Sequence, residues 1–375
     1  MITAFAALFL KVESQAEVLG LLTAGVIVVL LAARLGVIRQ MGIAFAANET
    51  LMQRIAILGV LVLTALFHNS HFALLMIATV LLYLTACLGL NIQFGYAGMV
   101  NFAGMAFFGI GCYTAAVLNQ HTAVPPVLAP LAGGAMAAAI GSALILPVLR
   151  TRGHYAALVT IAFGILFKTF LEVNDTLGGP QGLKVKGMKV FGWAFNNNIE
   201  IGDLAISFYV NYVLFALILV IVAFSVTKRL ERSWIGLNLD AIRLDETASA
   251  VFGINIARWK IIAFTLGNFF AGLAGAVFAM MLGYIGPNNF TFGDSLILVS
   301  IILLGGIGNP WGVALAAAIM LILPEKLQII QEYRFLLYAA VVIVILLVRP
   351  QGLLPRPMRV YPLVRKTDER GSFLP

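Results

Sequence analysis

The sequence predicts an all-α fold, a polytopic transmembrane helical bundle of about nine full spans plus a broken or re-entrant element near 295–323. Three observations predict it. Of 375 residues, 61% are hydrophobic and only 11% are charged, where soluble domains carry about 25% charged residues. The mean hydropathy is +1.00. Apolar runs approaching the roughly 20 residues needed to cross a bilayer recur along most of the chain. A soluble fold of this length would need far more polar surface to cover its core. The net charge of +8 does not point to nucleic acid. Lys and Arg fall between apolar runs, as topology signals do, and not on one face of a soluble domain.

Taken in order, the candidate spans are Val18–Ile38, Ile55–Phe67, Phe72–Gln93, Met99–Leu118, Val127–Leu149, His154–Leu171, Leu204–Val226, Ile261–Gly283 and Phe335–Val348. Ile55–Phe67 is the shortest run that still reads as one. Between Ser295 and Leu323, two short apolar pieces flank Gly305-Gly306-Ile307-Gly308-Asn309-Pro310-Trp311-Gly312. Two short spans and one re-entrant element both fit, and both return the chain to the same side.

Basic residues set the orientation. With the loop after Val226 in the cytoplasm, that side also receives Arg34, Arg39, Arg54, Arg150, Arg152 and the basic tail from Arg349 to Arg370. The opposite side holds Lys11, Lys184, Lys186, Lys189, Lys326 and Arg334. The expectation is a multi-pass protein with its N-terminus outside and its C-terminus in the cytoplasm. The N-terminal run follows Lys11, Glu13 and Glu17 and lacks the basic start of a cleaved signal peptide, so it reads as a retained span.

Polar residues are few. Cys87 and Cys112 lie in apolar runs without CxxC spacing and read as packing residues. His68, His71, His121 and His154 fall at span ends, with no spacing that suggests a metal site. Lys168 and Glu172, four apart, read as an interfacial pair. The outer loop Asn174–Asp203, opened by Gly178-Gly179-Pro180-Gln181-Gly182, reads first as a solvated connector with a tight turn. A docking surface for an extracytoplasmic partner is the functional alternative.

The basic loop 227–260 has more pattern. Asp240–Gly253 reads as one short helix, with Asn238 or Asp240 as its cap and Gly253 as a left-handed stop. Arg243 and Glu246, three apart, are positioned to pair across a turn. Leu239, Ile242 and Ala250 lie near one face, and Ala248 keeps part of the surface shallow. Insertion into a partner's groove and adsorption on lipid headgroups fit this pattern equally.

The run Ala241–Ala248, then Phe252-Gly253-Ile254-Asn255 and Lys260, closely resembles the coupling loop of branched-chain amino acid ABC transporter permeases of the LivM type. Four more stretches resemble the same family in the same order. They are Leu90–Gly98 with Ala106–Ala115, Arg152-Gly153-His154-Tyr155 with Thr160–Gly164, Leu304–Gly312, and Arg349-Pro350-Gln351-Gly352-Leu353. The chain departs from the family's pattern at Val100–Gly104 and at Asn309-Pro310.

The resemblance implies a permease subunit that carries branched-chain amino acids across a bacterial inner membrane. Its implied partners are a second homologous permease, two cytoplasmic ATPase subunits and an extracytoplasmic substrate-binding protein, in contact with membrane lipid and without nucleic acid. It implies no cofactor and no catalytic residue in this chain, ATP being bound by the partners. The sequence agrees in having no GxxxxGK[ST] phosphate loop. The organisation expected is 1–54, an N-terminal span and connector; 55–354, the transmembrane domain with coupling loop 227–260; and 355–375, a cytoplasmic tail. Arg243, Asp245, Glu246, Ala248 and Gly253 are the expected ATPase-coupling residues. Asn91, Gly95, Gly98, Asn101, Gly305, Gly306 and Gly308, small or polar groups at span breaks, are candidates for the substrate path. Helix packing is the alternative role for each glycine.

A urea or short-amide permease shares these motifs. An ion-coupled secondary transporter fits less well, because the central spans hold almost no Asp or Glu. No cluster suited to a membrane-embedded enzyme stands out.

Overall fold

The computed structural model describes residues 48–122, 125–150, 155–190, 193–201, 204–326 and 351–356, with a few isolated positions elsewhere. The expected spans Val18–Ile38 and Phe335–Val348, and the tail beyond Arg356, lie outside the described residues. The rest is a helical bundle. Its helices are α1 Glu49–Leu66, α2 His71–Asn91, α3 Gly104–His121, α4 Ala129–Arg150, α5 Tyr155–Val173 and α6 Tyr209–Arg232. They continue as α7 Trp234–Leu244, α8 Glu246–Val251, α9 Ile256–Leu282, α10 Phe292–Gly305 and α11 Pro310–Lys326. Seven helical stretches among the described residues are long and apolar enough to cross a membrane.

The span expected to be shortest is instead part of an 18-residue helix, because the polar stretch Glu49–Arg54 extends it by more than a turn. Its basal Glu49 pairs with Lys228 (2.8 Å) and with Arg232 of α6. The stretch expected at Met99–Leu118 becomes helical only at Gly104, leaving 97–103 as non-helical chain within the bundle. The ambiguous Ser295–Leu323 region is a hairpin of two helices. A capping box between Thr291 and Asp294 starts α10. Asn309 accepts the Trp311 amide (3.0 Å) to start α11, with Pro310 as its first residue.

The core is organised around α9, which packs on α2, α3 and α4. At about 1.5 Å per residue its 27 residues span about 40 Å, enough to cross a bilayer. Asn255 caps its start by accepting the Arg258 amide (3.0 Å), and Gly283 ends it at φ +74°. Small residues let the backbones approach, since lipid supplies no hydrophobic force to press helices together. A Cβ on Gly111 would lie 1.8 Å from the Gly272 carbonyl oxygen, and one on Gly89 2.4 Å from that of Gly267. Cys87 and Cys112 are free and buried in this core.

Loops at one end form three short antiparallel ribbons. β1 (Leu183–Lys184) pairs with β6 (Tyr284–Ile285), β2 (Lys189–Val190) with β3 (Trp193–Ala194), and β4 (Ile199–Ile201) with β5 (Leu204–Ile206). Among its described residues, the 174–203 region is a largely exposed connector that opens with the tight turns expected at Gly178–Gly182, and the short ribbons give it order. Val185 and Met188 are buried, and the Tyr212 hydroxyl accepts the Met188 amide (3.1 Å). The opposite, basic end carries α7 and α8.

Candidate functional site

At the basic end the chain leaves α6 into an elbow of two helices, where one helix over Asp240–Gly253 was expected. Ser233 is the cap of α7, accepting the Gly236 amide (3.4 Å). Asn238 and Asp240 sit inside the helix and do other work. Asn238 donates to the Trp234 carbonyl (2.9 Å), and Asp240 binds Arg356. The helix breaks at Asp245, which is extended (φ −156°, ψ 110°) and caps α8 by accepting the Ala248 amide (3.0 Å). Gly253 closes α8 at φ +78°, the left-handed stop read from the sequence.

The break at Asp245 separates Arg243 from Glu246, so they do not pair as expected. Glu246 receives Lys260 (2.6 Å), and Arg243 turns inward to donate to the Gly95 carbonyl (2.6 Å). Leu239 and Ile242 are buried inward, whereas Ala250, expected beside them, is exposed on α8. The elbow exposes three large apolar side chains. Leu244, Val251 and Phe252 are 82%, 82% and 84% exposed, beside exposed Ala248. Leu244 and Phe252 belong to the run that resembles the coupling loop, but none of the three was among the expected ATPase-coupling residues.

Behind the elbow the substrate-path candidates converge. Helix α2 ends in a π-helical turn, Ile92–Tyr96, whose five-residue spacing marks a break in the ordinary ladder. There Asn91 Oδ1 accepts the Gly308 amide (2.8 Å). Gly95 and Gly308 touch, since a Cβ on Gly95 would lie 2.4 Å from Gly308 Cα. Gly98 (φ +65°) packs on the Arg243 side chain, and Gly305 on the backbone of Gly312. Gly306, at φ +107°, lies under segment 351–356, whose Leu353 and Leu354 amides donate to the carbonyls of Leu304 (2.8 Å) and Gly305 (3.0 Å). Six of the seven candidates thus form one closely packed knot, filled by backbone and by residues 351–356.

Asn101 stands apart, in a buried amide cluster that the sequence reading missed. Asn101 Nδ2 donates to Gln93 Oε1 (2.8 Å) and Asn268 Oδ1 (3.3 Å). Gln93 Nε2 donates to Asn268 Oδ1 (3.0 Å) and the Phe264 carbonyl (3.0 Å). All three side chains are fully buried, and Asn268 Nδ2 has no partner among the described residues. Asn268 falls near the middle of α9, a lone amide in a long apolar run, and that loneliness was the available signal. The cluster holds the non-helical 97–103 segment together with Thr160, which accepts the Phe102 amide (3.1 Å), and Ser295 accepts the amide of Met105 in the first turn of α3 (3.2 Å). Irregular backbone inside a membrane bundle survives only where such partners satisfy it.

Arg356 completes the site. It forms a two-point pair with Asp240 (2.7 and 2.9 Å), lies 3.6 Å from Glu231, and donates to the Gly95 carbonyl (3.4 Å). Its guanidinium also sits over the Tyr96 ring (4.2 Å). Burial and the nearby Arg356 lower the Arg243 pKa. For Arg356, burial acts in the same direction, but Asp240, Tyr96 and Glu231 outweigh it and raise the pKa.

Residues 72–347, which include the elbow and the broken helix, match a family model described as branched-chain amino acid transport system / permease component. The chain belongs to that family. This permease is 33% identical to the high-affinity branched-chain amino acid transport system permease protein LivM of Escherichia coli (strain K12), over 82% of its own length and 76% of the relative's. It is 25% identical to the probable LivM of Methanocaldococcus jannaschii, over 77% and 95% of the two chains. To LivH of Escherichia coli (strain K12) it is also 25% identical, over 73% and 92%. No solved structure matches the permease. Family and apolar helices together make it a multi-pass membrane protein of transport, in a family that is not one of enzymes.

Proposed function

We propose that the chain is one transmembrane subunit of an ABC importer that carries branched-chain, hydrophobic amino acids across the bacterial inner membrane. The substrate class follows the names of its relatives. A second homologous permease, two ATPases that bind the ATP, and an extracytoplasmic binding protein complete the assembly. The basic end faces the cytoplasm, with the N-terminus outside and the tail inside, because Lys and Arg concentrate there.

One observation carries the mechanism. A capped two-helix elbow holds Leu244, Val251 and Phe252 in the open on either side of shallow Ala248. Apolar knobs around a small residue suit a cleft in a folded partner. Asp245 sets the angle of the elbow, Glu246 anchors it to Lys260, and Gly253 lets the chain turn back. Arg243 faces the broken helix and belongs to transmission, not to docking. When the ATPase pair closes on ATP, the elbow moves and the break in α2 moves with it.

The test is co-purification of the ATPase with the permease. Phe252→Asp with Leu244→Asp should reduce it at least tenfold while the permease remains folded in detergent. Undiminished co-purification with the folded variant would overturn the docking role and leave adsorption on lipid for this surface.

A further inference from the structure

We propose that Arg356 is a positioning residue of transport, a strut through which displacement of α7 reaches the broken end of α2. The inference rests on the docking role given above to the elbow, and extends it to a residue outside both helices.

The end of α2 is chemically incomplete. The chain leaves its helical path after Tyr96, so the Gly95 carbonyl lacks the amide that would follow in a continuing helix. It also lies at the negative end of the helix dipole. Two guanidinium groups meet this oxygen, Arg243 at 2.6 Å and Arg356 at 3.4 Å. Two cations at one carbonyl repel, and Asp240 offsets that by holding Arg356 from α7 at two points.

Arg356 therefore touches α6 through Glu231, α7 through Asp240, and the π-helical turn through Gly95 and Tyr96. Its own backbone is anchored, because Leu353 and Leu354 donate to the end of α10. A planar fork of five donors can make all these contacts at once, whereas a lysine ammonium cannot. A shift of α7 then reaches Gly95 by two links, directly from Arg243 and from Asp240 through Arg356, and the fork holds the two in step. From Gly95 the shift passes to the turn that carries Gln93, and so to the amide cluster around 97–103.

The test uses the assembled complex in proteoliposomes, with ATP hydrolysis and amino acid uptake measured on the same sample. Arg356→Ala and Asp240→Asn should each lower uptake per ATP at least tenfold. Arg356→Lys, which keeps the charge but not the fork, should fall between Arg356→Ala and the parent. Parental uptake per ATP in Arg356→Ala overturns the strut. If Arg356→Ala does not assemble, Arg356→Lys decides, and a parental ratio there overturns it equally.

A readout independent of substrate separates this claim from the functional one. A cysteine replacing half-exposed Val100, in the 97–103 segment, should change its thiol-labelling rate on ATP addition in the parent and not in Arg356→Ala. The same change in both overturns the strut. A parent complex that responds to ATP in labelling but takes up no branched-chain amino acid overturns only the substrate reading.

Discussion

Asn91 Oδ1 accepts the Gly308 amide at 2.8 Å, tying the end of α2 to the turn between α10 and α11 across 217 residues of sequence. Asn91 is fully buried, so its removal strands a donor in a place water does not reach. Asn91→Ala should cost about 1–3 kcal/mol. Thermal unfolding of the purified permease in detergent measures it. An unchanged midpoint would mean that the Gly308 amide finds another partner.

Two buried glycines offer opposite outcomes for one substitution. Gly95→Ala pushes a methyl to 2.4 Å from Gly308 Cα, backbone that no rotamer change can move aside. It should destabilise by about 1–3 kcal/mol, the usual range for overpacking. Gly164 lies in α5, where a Cβ would meet nothing within 4 Å. Gly164→Ala should be neutral or stabilising by up to about 1 kcal/mol, because alanine is the better helix former. Paired melting curves would separate them, and equal effects would refute the packed knot.

Not all of this was readable in the chain. Most of the spans that fall within the described residues were, because an apolar run of the required length has few other uses. The Gly253 stop was too, since a glycine after a short amphipathic run has one common conformation. The break at Asp245 was carried by its residue type, an N-cap followed by Glu246, Thr247 and Ala248. An uninterrupted helix fits the same letters, and only the pairing of Arg243 with Gly95 and of Glu246 with Lys260 decides between them. Arg356 stands just past a recognisable motif, but its partners Asp240 and Gly95 lie 116 and 261 residues away. No local pattern encodes such distances. The glycines at span breaks were visible as a group, but whether they faced a path or each other was a question of packing.

The amide cluster should behave as a unit. Asn268→Leu removes the acceptor shared by Gln93 and Asn101 and should cost about 1–3 kcal/mol. Gln93→Leu should cost a similar amount. The double variant should cost less than the sum by about 0.5 kcal/mol or more, because each single change already strands the other's group. Strict additivity in a double-mutant cycle would show that the two side chains do not depend on each other.

The Glu246–Lys260 pair should matter little to stability. Glu246 is exposed in the ion pair, and such pairs contribute about 0–1 kcal/mol. Glu246→Ala should therefore leave the melting midpoint nearly unchanged. Any larger fall in ATPase co-purification would then report docking and not folding.

ATP-driven uptake by the co-expressed importer in proteoliposomes tests the central claim most directly, with labelled leucine and labelled urea compared in parallel. Leucine should accumulate only with ATP inside the compartment that holds the basic end and with the binding protein on the other side. Accumulation of urea in place of leucine, or leucine uptake driven by an ion gradient without the ATPase subunits, would contradict it.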